Sequence, residues 1–130
     1  MSLRRLLIAA SLAALSLPAF AQEPAREGGA GGPSMQVLTD LAETLGAAHA
    51  IRSLCNGDAD QTWRNYMMNM LAIEAPGGPS RAALTSAFNR GYRAQNGRTP
   101  SCSGDMTKIE AQIAAHGRQL AEAAASSYLH

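Results

Sequence analysis

Beyond residue 34 the apolar side chains return at intervals of three and four, and no stretch alternates with period two for long enough to make a strand. Leu38, Leu41, Leu45 and Ala48 share one stripe, which predicts a helix from about Met35 to Leu54 entered through Pro33-Ser34. Asn56-Gly57-Asp58 stops it around Cys55. Trp63, Met67, Met70 and Leu71 make a second stripe and predict a helix from about Asp60 to Ala75, broken by the run APGGPS at 75–80. Leu84, Ala87, Phe88, Gly91 and Tyr92 make a third, from Arg81 to about Gln95, with Ser80 as N-cap and Asn96-Gly97 as exit. A fourth, from about Gly104 to Ser127, carries Met106, Ile109, Ile113, Gly117, Leu120 and Ala124, with Ser103 or Asp105 to cap it. Short connections between such helices favour antiparallel neighbours, so the expected class is all-α, a small bundle of about four helices.

Gly91 sits on the buried stripe of the third helix. Glycine inside a helix costs roughly 1 kcal/mol relative to alanine, and a close helix–helix approach would offset that cost. The Gly117 region of the fourth helix is its expected neighbour. Asn89, Arg90 and Arg93 fall on the opposite, polar side.

The ends of the chain add a destination. Residues 22–34, QEPAREGGAGGPS, hold no large apolar side chain and read as a flexible tether. Ahead of them stand Arg4 and Arg5, then an uncharged run from Leu6 to Leu17, then Ala19-Phe20-Ala21. This is the tripartite form of an export signal, with the cut expected after Ala21 and the periplasm as destination. The run is too short to span a bilayer comfortably, and no second run of membrane length follows. The expected organisation is therefore a signal over 1–21, a tether over 22–34 and a single helical domain over 35–130.

The formal charge of the whole chain is +1, and removing Arg4 and Arg5 with the signal leaves the mature chain about −1. That balance argues neither for nucleic acid nor for anionic lipid as an obligate partner, and no nucleic-acid partner is expected. In an exported chain the two cysteines, Cys55 and Cys102, read first as a disulfide. A metal or redox pair is the alternative, but no Cys-x-x-Cys is present. A bridge would join the end of the first helix to the start of the fourth, tying two outer helices together.

Candidate chemistry is sparse. Met67, Met68 and Met70, with His49 and His116, invite a copper reading, because thioethers suit Cu(I). Yet Met67 and Met70 share a stripe with Trp63 and Leu71, where methionine fills cores, and the histidines are isolated in sequence. No metal or other cofactor is therefore expected. Asp58 and Asp60 flank the turn before the second helix and suit its cap. Glu74, at the wrong end of its helix for the dipole, is expected to find a cation in Arg81 or Arg52. No Gly-x-Ser-x-Gly elbow, His-Glu-x-x-His or phosphate-binding glycine loop occurs, and no catalytic residue is assigned. Charge is unevenly spread. Residues 75–104 hold Arg81, Arg90, Arg93 and Arg98 and no acid, whereas residues 35–74 hold five acids against Arg52 and Arg64. Internal neutralisation of the basic third helix by the first two is favoured over an open basic face.

LAETLGAAHAIRSLC (41–55), WRNYM (63–67), IEAP (73–76), AFNRGYRA (87–94) and the later Cys102 follow one another in this order. Together they resemble an uncharacterised family of small exported alphaproteobacterial proteins with two well-separated cysteines and a Phe-Asn-Arg-Gly-Tyr motif. The resemblance falls on Trp63, Phe88, Gly91 and Tyr92 as a packing motif, and it implies export and a disulfide without implying a reaction. This chain departs from the family pattern at Gln112 and His116. The expected function is that of a noncatalytic interaction protein of the cell envelope with a protein or cell-wall partner, contacted through Arg64, Asn89, Arg90, Arg93 and Arg98. The alternative is a small-molecule or metal (copper or haem) binder lined by methionine and histidine. A peptidoglycan-related enzyme or regulator comes third.

Overall fold

A computed structural model describes residues 31–130; the segments read as signal and, up to Ala30, as tether lie outside the described residues. Four helices follow in order, α1 Met35–Asn56, α2 Thr62–Glu74, α3 Gly78–Arg98 and α4 Met106–Ser126, with a 3₁₀ turn at Ser127–Leu129. Among the described residues there is no strand. The all-α bundle is as the periodicity predicts, and every residue assigned to a stripe is buried or half-buried.

The arrangement within the bundle is different. α1 is the middle of the molecule: α2, α3 and α4 all pack on it, α2 and α3 touch each other little, and α4 meets neither of them closely along its backbone. The sequence of α1 suits that place. Leu38, Leu41 and Leu45 are buried on one side, while Ala42, Ala48, Ala50 and Ile51 are buried around the rest of its girth, as expected of a helix covered from several directions. The expectation that α1 is an outer helix is thus corrected. Ser34 starts it, its hydroxyl oxygen accepting from the Val37 N–H at 3.2 Å. Gly57, at φ +85°, ends it in a conformation that favours glycine.

α2 and α4 run against α1, and α3 runs with it. At one end Cys55 of α1 is bridged to Cys102, just past α3, with Cα atoms 5.2 Å apart. Beside it Glu110, near the start of α4, accepts from Arg52 Nε at 2.7 Å and from the Trp63 indole N–H at 2.6 Å. One carboxylate therefore joins α1, α2 and α4. Arg52 also reaches Asp60 at 3.4 Å and lies over the Trp63 ring. Hydrogen bonds from Asn56 first, then from the Thr62 hydroxyl and N–H, hold the Asp60 carboxyl well below the usual carboxylate range. At the opposite end the Tyr128 hydroxyl donates to the Glu74 carboxylate at 2.6–2.7 Å. Glu74 is thus partnered by a phenol from the chain's end, and neither Arg81 nor Arg52 reaches it.

The parallel pair α1 and α3 meets at two glycines. A Cβ at Gly46 would fall on the carbonyl of Phe88, and a Cβ at Gly91 would fall on the carbonyl of Glu43. Each helix lays a glycine against the other's backbone, which brings the two axes into close contact. Gly91 therefore faces α1. Gly117, its expected neighbour, instead faces Thr44, whose methyl a Cβ at Gly117 would meet at 3.4 Å.

α3 is longer than its stripe. It begins at Gly78 with Pro79 in its first turn, where a fixed φ and a missing N–H cost nothing. Ser80 is accordingly inside the helix and does not cap it. At the other end the helix runs through Asn96-Gly97 to Arg98. Its last turn is held by Gln95, which is buried, donates to Thr99 at 2.8 Å and accepts from Arg98 at 2.9 Å.

Candidate functional site

Because α2 and α3 lean on α1 more than on each other, a groove of about 570 Å³ opens between them, within the roughly 300–1,000 Å³ common for ligand sites. Its floor is apolar and comes from three helices: Met67 and Leu71 of α2, Phe88 of α3, and the ring of His49 from α1. Its walls are polar. Arg81, Thr85, Asn89 and Tyr92 stand on α3 about one turn apart, facing Arg64 on α2 and Gln61 just ahead of it, with Ser53 and Asp58 at the end nearest the α1–α2 turn.

Helix direction orders these groups. α3 runs with α1 and α2 against it, so Asp58, Gln61, Ser53 and Tyr92 mark one end, Arg64 and Asn89 face the middle, and Arg81 with Leu71 marks the other end. The cations are open: Arg64 has no hydrogen bond or ion pair among the described residues, and Arg81 makes only a 3.4 Å contact to the Ala75 carbonyl.

His49 is the buried polar group of the groove. It is 7 % exposed and packs between the rings of Phe88 and Tyr92, with centroids 5.7 and 5.6 Å away. Nδ1 is buried without a partner, and Nε2 lies 3.5 Å from the Ser53 hydroxyl. Burial first, and then the Arg64 charge, push its pKa below the usual 6.5, against smaller opposing effects of Asp60 and Asp58. The folded state thus prefers neutral His49, while the unfolded chain takes up a proton near pH 6.5. Stability from this group is complete above about pH 6.5 and is lost as pH falls from there through the lower folded pKa. Urea titrations between pH 7.5 and 5 should show that decline in the wild type and a flatter profile in His49→Gln. Equal slopes would show that His49 is not its source.

The five arginine and asparagine residues expected to form one contact surface are divided by the structure. Arg64 and Asn89 line the groove. Arg90 turns aside to pair with Glu43 across the glycine crossing at 3.4 Å, Arg93 is exposed, and Arg98 is engaged by Gln95. Neutralisation of α3 by the acids of α1 and α2 accordingly amounts to one exposed ion pair, Arg90–Glu43. The copper set is also divided. Met67 and Met68 line the groove with His49, Met70 lies over an apolar recess between α2 and α4 beside Trp63, and His116 lines a shallow recess by Gly91.

Residues 33–128 match the model of a family described as a protein of unknown function, DUF2385. The chain belongs to that family. No curated protein and no solved structure matches it. In this DUF2385 chain the groove adds Ser53, Gln61 and Thr85 to the residues that sequence reasoning singled out, and it gathers His49 and Arg81, read there as a copper ligand and a partner for Glu74, into one site. One signal for them was available: Arg81, Thr85 and Asn89 are spaced i, i+4 and i+8, with Tyr92 three residues further on, so the four line one flank of α3.

Proposed function

We propose that this DUF2385 protein is a noncatalytic binding protein of the cell envelope that receives an anionic partner in the groove between α2 and α3. The observation that carries this reading is the pair Arg64 and Arg81, two guanidinium groups on one groove without carboxylate partners. Guanidinium groups bind planar oxyanions through paired N–H donors, and the same two charges repel Cu(I). The envelope location rests on the export signal read at residues 1–21. The noncatalytic character rests on the sequence, in which no Gly-x-Ser-x-Gly elbow, His-Glu-x-x-His or phosphate-binding glycine loop is read.

The test is a titration with octanoate, followed by backbone amide shifts, of protein recovered from a periplasmic extract. Shifts are expected at Arg64, Met67, Arg81 and Asn89, with binding at least tenfold weaker in the folded variant Arg64→Glu/Arg81→Glu. Shifts confined to other faces, or equal binding by the variant, would overturn the groove. Recovery from the cytoplasm alone would overturn the location.

A further inference from the structure

Building on the anionic-partner reading, we infer that the occupant is a short peptide with free ends and one acidic side chain, lying extended along the groove. Length is the first argument. From Arg81 to Tyr92 the α3 wall rises by about 16 Å at 1.5 Å per residue, which an extended chain of about five residues spans at 3.3–3.6 Å each.

The pattern of the lining is the second. Beyond a carboxylate on an apolar tail, the lining offers hydrogen-bonding side chains that recur along the α3 wall at Thr85, Asn89 and Tyr92, where they can meet backbone amides of an extended chain. Met67, Leu71 and Phe88 below them suit small apolar side chains directed at the floor. The ring of His49 completes this floor.

Charge along the groove is the third. Asp58 at one end suits an ammonium terminus, Arg81 at the other suits a carboxylate terminus, and Arg64 between them suits an acidic side chain. A free-ended peptide with one such side chain carries net charge −1. Arg64, Arg81 and Asp58 together carry +1, with His49 neutral.

The experiment titrates the full folded protein with the pentapeptide Ala-Ala-Glu-Ala-Ala and three altered forms: amidated at the C-terminus, acetylated at the N-terminus, and with glutamine for glutamate. Each alteration is expected to weaken binding about tenfold, the worth of one charge-assisted hydrogen bond. Each loss should vanish in one variant only: amidation in Arg81→Gln, acetylation in Asp58→Asn, and the glutamine peptide in Arg64→Gln. Altered peptides that bind as well as the parent, or a parent that does not bind at millimolar concentration, overturn the inference. If octanoate still binds through Arg64 and Arg81, the anion groove stands and only the peptide falls; if neither binds, both fall. A further form ending in D-alanine separates the two sources of such peptides. Preference for it assigns the occupant to the cell wall and preference for the all-L form to degraded protein, and either binding sustains the peptide.

Discussion

Alanine at Gly46 or at Gly91 is expected to cost at least about 3 kcal/mol, the upper end for overpacking a core, and to leave little folded protein at 37 °C. The reason is what the new methyl would meet. At both positions it would fall on a backbone carbonyl of the opposite helix, Phe88 or Glu43, and a carbonyl in mid-helix cannot swing aside as a side chain does. α1 and α3 would have to separate. That would loosen the packing of Leu84, Ala87 and Phe88 on α1, all in the buried core. A domain with about 5–15 kcal/mol of total stability tolerates such a loss poorly. Gly117→Ala is the control. Its nearest neighbour is a methyl at ordinary contact distance, and replacing glycine within a helix gains up to about 1 kcal/mol of helix propensity. Urea denaturation should place the first two variants well below the wild type and Gly117→Ala level with it or above. Wild-type midpoints for the Gly46 and Gly91 variants would mean that the crossing is loose enough to absorb a methyl.

The second large effect is expected from the bridge. Cys55 and Cys102 are 47 residues apart, and closing a loop of that length stabilises the fold by about 4 kcal/mol in the chain-entropy account. Cys55→Ser/Cys102→Ser should therefore unfold at a much lower urea concentration than the wild type, and reductant should bring the wild type to nearly the same midpoint. Reductant should leave the serine variant unchanged. A reduced protein that kept the oxidised midpoint would show that the network of Arg52, Glu110 and Trp63 holds that end of the bundle without the bridge.

Both expectations concern features that were partly legible in the sequence. The stripes from Leu38 to Ala124 were readable because a helix repeats at 3.6 residues whatever it packs against. The cysteines were readable because their use follows compartment and the closure of a small fold. Gly91 could be placed on the buried side, but its neighbour could not be named, since stripe and spacing say nothing about which helix comes closest. The surroundings of α1 are a similar case. Ala42, Gly46, Ala48 and Ala50 make it narrow nearly all round, a sign of a central helix that a single leucine stripe conceals. The ends of α3 were misjudged for a local reason: Pro79 opens a helix as readily as it closes one, and Asn96-Gly97 is carried into the last turn beside the bond between Gln95 and Thr99. The groove itself is a tertiary gap. Arg64 and Asn89 were flagged for their charge and polarity, but nothing along the chain shows that α2 and α3 stand apart, or that Arg90 is diverted to Glu43.

The reciprocal glycines also give the groove two unlike sides. The α3 wall is set at a fixed distance from its base, backbone against backbone, with no compressible layer between. The α2 wall rests through Met67 and Leu71, unbranched or singly branched side chains that can repack. Any change in the width of the groove therefore falls to α2. Ligands that differ in girth would be told apart by substitutions beneath that helix, at positions that never touch the ligand.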